Sequence, residues 1–150
     1  MIKTILATYL ISFSAYAGDI NQAVILAGSI LDEASRNSSS NNPGIFKQIR
    51  NTLASSDLAW PQHGSDFTNC SATTLAYVVP STAPRTIFLC QRIVHAAEVA
   101  IAQTLIHEAA HLYLGNTDEC AATAIEVVAM EDSGVGLAYK NSYISSCLGN

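Results

Sequence analysis

Apolar residues recur at helical spacing between Asp19 and Ala34, where Ile20, Val24, Ile25, Ala27, Ile30 and Leu31 share a side and Asp19 stands in position to cap. The polar run Arg36 to Gly44 (RNSSSNNPG) interrupts that rhythm and reads as a loop. A second helix is predicted from about Pro43 through Ile45, Phe46, Ile49 and Leu53, ending before Asp57. Trp60-Pro61-Gln62-His63-Gly64 has no periodicity. The pattern then shortens: Leu75 to Val79 (LAYVV), stopped by Pro80, and Thr86 to Leu89 (TIFL) are β-branched or aromatic and flank a Ser/Thr/Pro turn, which predicts two paired strands. Helical spacing returns at Val94, Ala97, Ala100, Ile101, Leu105, Ile106, Ala109 and Leu112, a long helix over about 96–114 that Gly115-Asn116 terminates. Glu119 to Met130 predicts one more helix, and Gly134 to Tyr143 leads into a short final segment with Cys147. With neither repeat nor linker in view, the expected fold class is α+β, a small and mostly helical domain with a two- or three-stranded sheet in its middle.

The first residues belong to a different pattern. Lys3, an apolar run from Ile5 to Phe13, and Ala15-Tyr16-Ala17 ahead of Gly18 have the layout of a cleavable secretory leader. The expectation is therefore a leader at 1–17 and one folded domain at 18–150, secreted or periplasmic. No other stretch approaches the roughly 20 apolar residues of a membrane-spanning helix, so no stable membrane anchor is expected. Composition agrees with a folded domain, at 49% hydrophobic and 13% charged residues. Seven Lys+Arg against twelve Asp+Glu, a net charge of −5, leave no basic face for phosphates and exclude a nucleic-acid binder. Export makes disulfides the default reading of Cys70, Cys90, Cys120 and Cys147. Of three possible pairings, Cys70–Cys90 and Cys120–Cys147 join nearest neighbours and close loops of roughly 20 to 30 residues, each contributing about 3 kcal/mol. A cysteine-rich zinc site is the rival, and no C-x-x-C pair supports it.

Candidate chemistry lies on the long helix, at His107-Glu108-Ala109-Ala110-His111. Histidines at i and i+4 face one side of a helix, so both imidazoles reach a single zinc ion, and Glu108 beside them reaches the water such an ion activates. His107 and His111 are thus candidate metal ligands and Glu108 the candidate general base of peptide hydrolysis. The surrounding AIAQTLIHEAAHLYL is otherwise apolar, and burying a Glu and two His there is costly without a partner such as a metal. A catalytic zinc takes three protein ligands and keeps one position open. Asp118, beyond the Gly115 turn, is the leading third ligand; Glu119 is its neighbouring alternative, and Glu126 would serve in a thermolysin-like arrangement. Asp118 also stands where it would cap the following helix, and capping competes with ligation for its oxygens.

Asn69-Cys70-Ser71 leading to Leu75-Ala76-Tyr77-Val78, then Thr86-Ile87-Phe88-Leu89-Cys90, then Gln103-Thr104-Leu105-Ile106 ahead of the HEAAH run, resembles the core of the deuterolysin-type zinc metalloendopeptidases, the aspzincins. Gly115-Asn116-Thr117-Asp118 is similar to the family's Gly-Thr-x-Asp segment in its Gly and Asp, and Lys140-Asn141-Ser142-Tyr143 to a shortened Asn-Ala-Asp-Ser-Tyr element. The resemblance spans about residues 69–143. It implies a zincin-like fold, one zinc ion on His107, His111 and Asp118, and a protein or peptide substrate. Ala121 stands where that family commonly has a Tyr that steadies the oxyanion, which leaves Tyr143, or Tyr139, as the candidate stabiliser.

The leading expectation is a monomeric, secreted zinc metalloendopeptidase. Its alternatives are a secreted binding or inhibitory protein on a degenerate peptidase scaffold, and a zinc amidase acting on cell-wall peptides. His95 lies more than three helical turns before His107 and cannot share its metal through that helix. His63 reads as a surface histidine, and Asn37-Ser38-Ser39 fits a glycosylation acceptor.

Overall fold

A computed structural model of the chain describes residues 19–37, 43–60, 69–71 and 73–149. The leader expected at 1–17, His63 and two residues of the Asn37-Ser38-Ser39 acceptor lie outside them. The elements run α1 (Ile20–Asn37), α2 (Gly44–Ala54), β1 (Asp57–Ala59), β2 (Ala76–Val78), β3 (Thr86–Leu89), a 3-10 helix (Gln91–His95), α3 (Glu98–Leu114), α4 (Glu119–Asp132) and α5 (Ser142–Leu148). The architecture is α+β and mostly helical, as expected. No described helix is long and apolar enough to cross a membrane.

Helix α3 is the axis of the fold. Every residue from Ile101 to Leu112 is buried, because α1, α2, α4 and the sheet pack around it. Ala23, Ala27, Ile30, Leu31 and Ala34 of α1 and Phe46, Ile49 and Leu53 of α2 supply the inner stripes that pack toward it. Asp19 opens α1 as anticipated, its Oδ1 accepting the Asn21 N–H at 2.8 Å.

The sheet has the order β1-β3-β2. β2 and β3 pair antiparallel with Tyr77 opposite Phe88, and these two rings stack with centroids 5.0 Å apart. β1, for which the residue pattern offered no signal, pairs parallel with β3. Among the described residues that order puts β2 last in the sheet. Both expected disulfides are present, Cys70–Cys90 and Cys120–Cys147, and they fit an oxidising compartment.

Candidate metal centre

A helix buried all round has a problem wherever it carries a polar side chain. Gln103, Thr104, His107, Glu108 and His111 are all buried within α3, and each must find a partner there or pay for desolvation. Gln103, His107 and His111 follow one another at four-residue steps along one side. The facing element is α4.

The turn between the two helices is built to bring α4 back. Gly115 ends α3 in the left-handed conformation, φ 67°, which a residue with a Cβ rarely adopts. The Asn116 side chain accepts the Asp118 N–H at 3.0 Å, and Asp118 Oδ1 then accepts the N–H groups of Cys120 and Ala121 at 3.0 and 3.1 Å. Asp118 is therefore the N-cap of α4. Glu119, the first residue inside the helix, faces the histidines instead.

Three donor atoms converge at that point. His107 Nε2 and His111 Nε2 lie 3.1 Å apart, and Glu119 Oε2 lies 3.1 Å from the first and 3.6 Å from the second. Donors held about 2.0–2.1 Å from one tetrahedral ion stand about 3.3–3.4 Å from each other, so these separations suit a metal ion. The outer ring nitrogens are anchored as well. His107 Nδ1 meets Glu126 Oε2 at 2.8 Å and His111 Nδ1 meets the Asn116 carbonyl oxygen at 3.1 Å. Both oxygens only accept, so each Nδ1 carries the proton and each Nε2 presents its lone pair to the shared point. Two lone pairs and a carboxylate oxygen facing one another require a cation between them, a metal ion or a proton.

The electrostatics state the same demand. Burial pulls the His107 pKa down, but its hydrogen bonds to Glu119 and Glu126 outweigh that and push it up to about 10. His111 is held below the ordinary imidazole value, first by burial and then by the charge on His107. Glu119 is lowered chiefly by its hydrogen bond to His107. One positive charge thus suffices for the three donors.

The structure brings together His107 and His111, the two histidines singled out in the sequence, and the carboxylate beside them is that of Glu119 rather than Asp118. Among the described residues, His107, His111 and Glu119 form the group able to hold a metal ion. Asp118 is occupied with the cap, and Glu126 belongs to the outer layer, against Nδ1 rather than Nε2. Sequence reasoning named Gln103 only as part of the segment ahead of the HEAAH run and gave it no role. Its amide nitrogen donates to Glu126 Oε1 and to the Tyr139 carbonyl, and its oxygen accepts the N–H groups of Ala138 and Tyr139 at 2.8 and 3.3 Å. The available signal was a lone amide in an apolar run, one helical turn before the first histidine.

The centre opens into a cleft of about 1220 Å³. His107, Glu108, His111 and Glu119 line it, as do Tyr139 and Tyr143. Burial pushes the Glu108 pKa up to about 8, with the charge on His107 opposing and the carboxylates of Glu119 and Glu126 adding to the rise. Tyr139 is bonded through its hydroxyl to Thr104 Oγ1 at 3.0 Å, and burial pushes it up to about 12, so it stays a neutral donor. Tyr143, the stabiliser offered by the sequence, is partly exposed on the first turn of α5. His95 also lines the cleft, without joining the metal-binding group. Comparison of the chain with family models, curated proteins and solved structures gives no significant match.

Proposed function

We propose that this chain is a zinc-dependent metalloendopeptidase of zincin-like type, with His107, His111 and Glu119 holding one zinc ion and Glu108 as general base. The observation that carries this reading is the meeting of two Nε2 lone pairs and one carboxylate oxygen at the floor of an open cleft, with a second buried carboxylate beside them. Two imidazoles and a carboxylate are a donor set that suits catalytic zinc. Bound there, zinc would supply Lewis acidity toward the scissile carbonyl and lower the pKa of water. Glu108, with proton affinity near neutrality, takes the proton of the attacking water as its oxygen adds to the carbonyl carbon, then hands it to the amine nitrogen as the C–N bond breaks. Tyr139 and Tyr143 line the same cleft and are the candidate donors to the developing oxyanion. The glutamate ligand differs from the aspartate that the deuterolysin resemblance implies.

The cleft is larger than the roughly 300–1,000 Å³ typical of small-ligand sites, which favours an extended substrate. β2 lines it with Ala76, Tyr77 and Val78, and a cleft walled by a strand suits a peptide bound in extended form. The test is direct. The purified protein is expected to hold one zinc per chain and to cleave an unfolded protein such as reduced casein, and Glu108→Gln is expected to keep the metal and lose about 10²–10⁴-fold in kcat. A protein with no stoichiometric metal, or a Glu108→Gln variant of undiminished activity, would overturn the proposal. Tight metal binding without hydrolysis of any protein would instead favour the binding or inhibitory reading.

A further inference from the structure

We infer that the cleft selects anionic peptides, the positive charge that Arg92 and Lys140 bring to its lining meeting the carboxylates of the substrate. This rests on the peptidase reading for its substrate class but not for its charge. The chain as a whole is acidic, with twelve Asp+Glu against seven Lys+Arg. The cleft departs from that balance. Arg92, His95 and Lys140 line it, all exposed, whereas among the described residues its acidic lining is Glu108 and Glu119, which sit at the candidate metal centre.

The other arginines are engaged elsewhere: Arg36 pairs with Glu33, Arg50 with Asp32 at 3.1 Å, and Arg85 donates to the Ser55 carbonyl. Arg92 and Lys140, by contrast, have no ion pair among the described residues. A concave, low-dielectric surface concentrates such a field, and a partner carrying carboxylates meets it favourably where a cationic one is repelled. Arg92 and His95 ride on the 3-10 helix, and Lys140 comes from the segment that leads into α5. Two separate elements thus bring charge of the same sign to one cleft. The carboxylate recognised is that of an Asp or Glu side chain or of a free chain terminus.

Binding separates this inference from the catalytic proposal. The Glu108→Gln protein, purified with its metal, is titrated with a fluorescent glutamate-rich peptide and with glutamine-rich and lysine-rich counterparts, each with a free and an amidated C-terminus. The glutamate peptide is expected to bind about tenfold more tightly than the glutamine peptide at low salt, with the gap closing as ionic strength rises. Arg92→Gln combined with Lys140→Gln is expected to erase that gap while melting temperature and metal content stay unchanged. A glutamate-over-glutamine preference that survives amidation assigns the carboxylate to side chains; a loss of binding on amidation that the glutamate and glutamine peptides share assigns it to the chain end. Equal binding of the glutamate and glutamine peptides with no effect of amidation, tighter binding of the lysine peptide, or a preference that persists in the double variant overturns the inference, whether or not the wild-type protein proves to be a peptidase.

Discussion

Because Asp118 precedes the first turn of α4 and Glu119 opens it, one step of the backbone decides which carboxylate reaches the histidines. Asn caps a helix about as well as Asp, whereas an amide is a poor replacement for a metal-binding carboxylate. Asp118→Asn is therefore expected to leave melting temperature and metal affinity nearly unchanged, and Asp118→Ala to cost about 1 kcal/mol of stability. Glu119→Gln should weaken metal binding by more than the roughly 10–100-fold typical of outer partners. Metal titration of the three variants decides the matter, and a large loss in Asp118→Asn would return the ligand role to Asp118. At this scale the two histidines and Glu108 were legible in the sequence, since i, i+4 spacing is a local property of one helix. The third donor was legible only as a choice among Asp118, Glu119 and Glu126, because it depends on which carboxylate the cap of α4 takes up. The short Asp side chain satisfies the orphan N–H groups of α4 from outside the helix, and that leaves Glu119 to face inward.

Among elements, α3 and α4 act as a unit through Gln103, which touches no metal-binding atom itself. It holds Glu126, which holds His107 Nδ1, and it also ties down the backbone at Ala138 and Tyr139 along the cleft wall. Gln103→Leu fills a similar space but leaves Glu126 Oε1 and the Ala138 N–H without this partner, a loss of about 1–3 kcal/mol in stability. The same change is expected to weaken metal affinity roughly 10–100-fold by freeing the ring of His107 to turn. Denaturant unfolding in chelator and metal titration measure the two effects separately; unchanged affinity would mean that Glu126 needs no help in fixing the ring. The longer elements were legible because each has a stripe: α1, α2, α3 and α4 lie within a few residues of their expected spans, and β2 and β3 pair as predicted. β1 was not, because three residues with mostly exposed side chains carry no alternation, and its pairing is with a strand distant in sequence. The 3-10 helix Gln91–His95 buries Ile93 alone, too little pattern to detect.

Over the whole molecule, the apolar core and the two disulfides support different regions. The core is mostly helical, centred on α3 with α1, α2, part of α4 and the inner residues Ala76, Ile87 and Leu89 of the sheet around it. The disulfides serve the cleft. Cys70–Cys90 ties the segment holding Asn69 and Ser71 to the end of β3, and Cys120–Cys147 ties the first turn of α4, next to Glu119, to α5. Each closes a loop of 20 or 27 residues, for which chain entropy gives about 3 kcal/mol. Cutting Cys120–Cys147 by a paired Cys120→Ala and Cys147→Ala change is thus expected to lower the melting temperature by about 10 °C. α5 contributes no buried residue of its own, so its place beside α4 depends on that bond more than on packing. Local opening should follow from this difference. In the paired variant, amide exchange is expected to quicken over 137–148 and in the first turn of α4, with metal affinity falling as Glu119 loses its fixed position, while Ile101 to Leu112 stay protected. Hydrogen exchange with and without bound metal reads both effects. If α3 loses protection together with α5, the core and the cleft are one cooperative unit and the division is wrong; if only α5 and the metal site loosen, the disulfide is what holds a buried histidine pair and a surface carboxylate at one point.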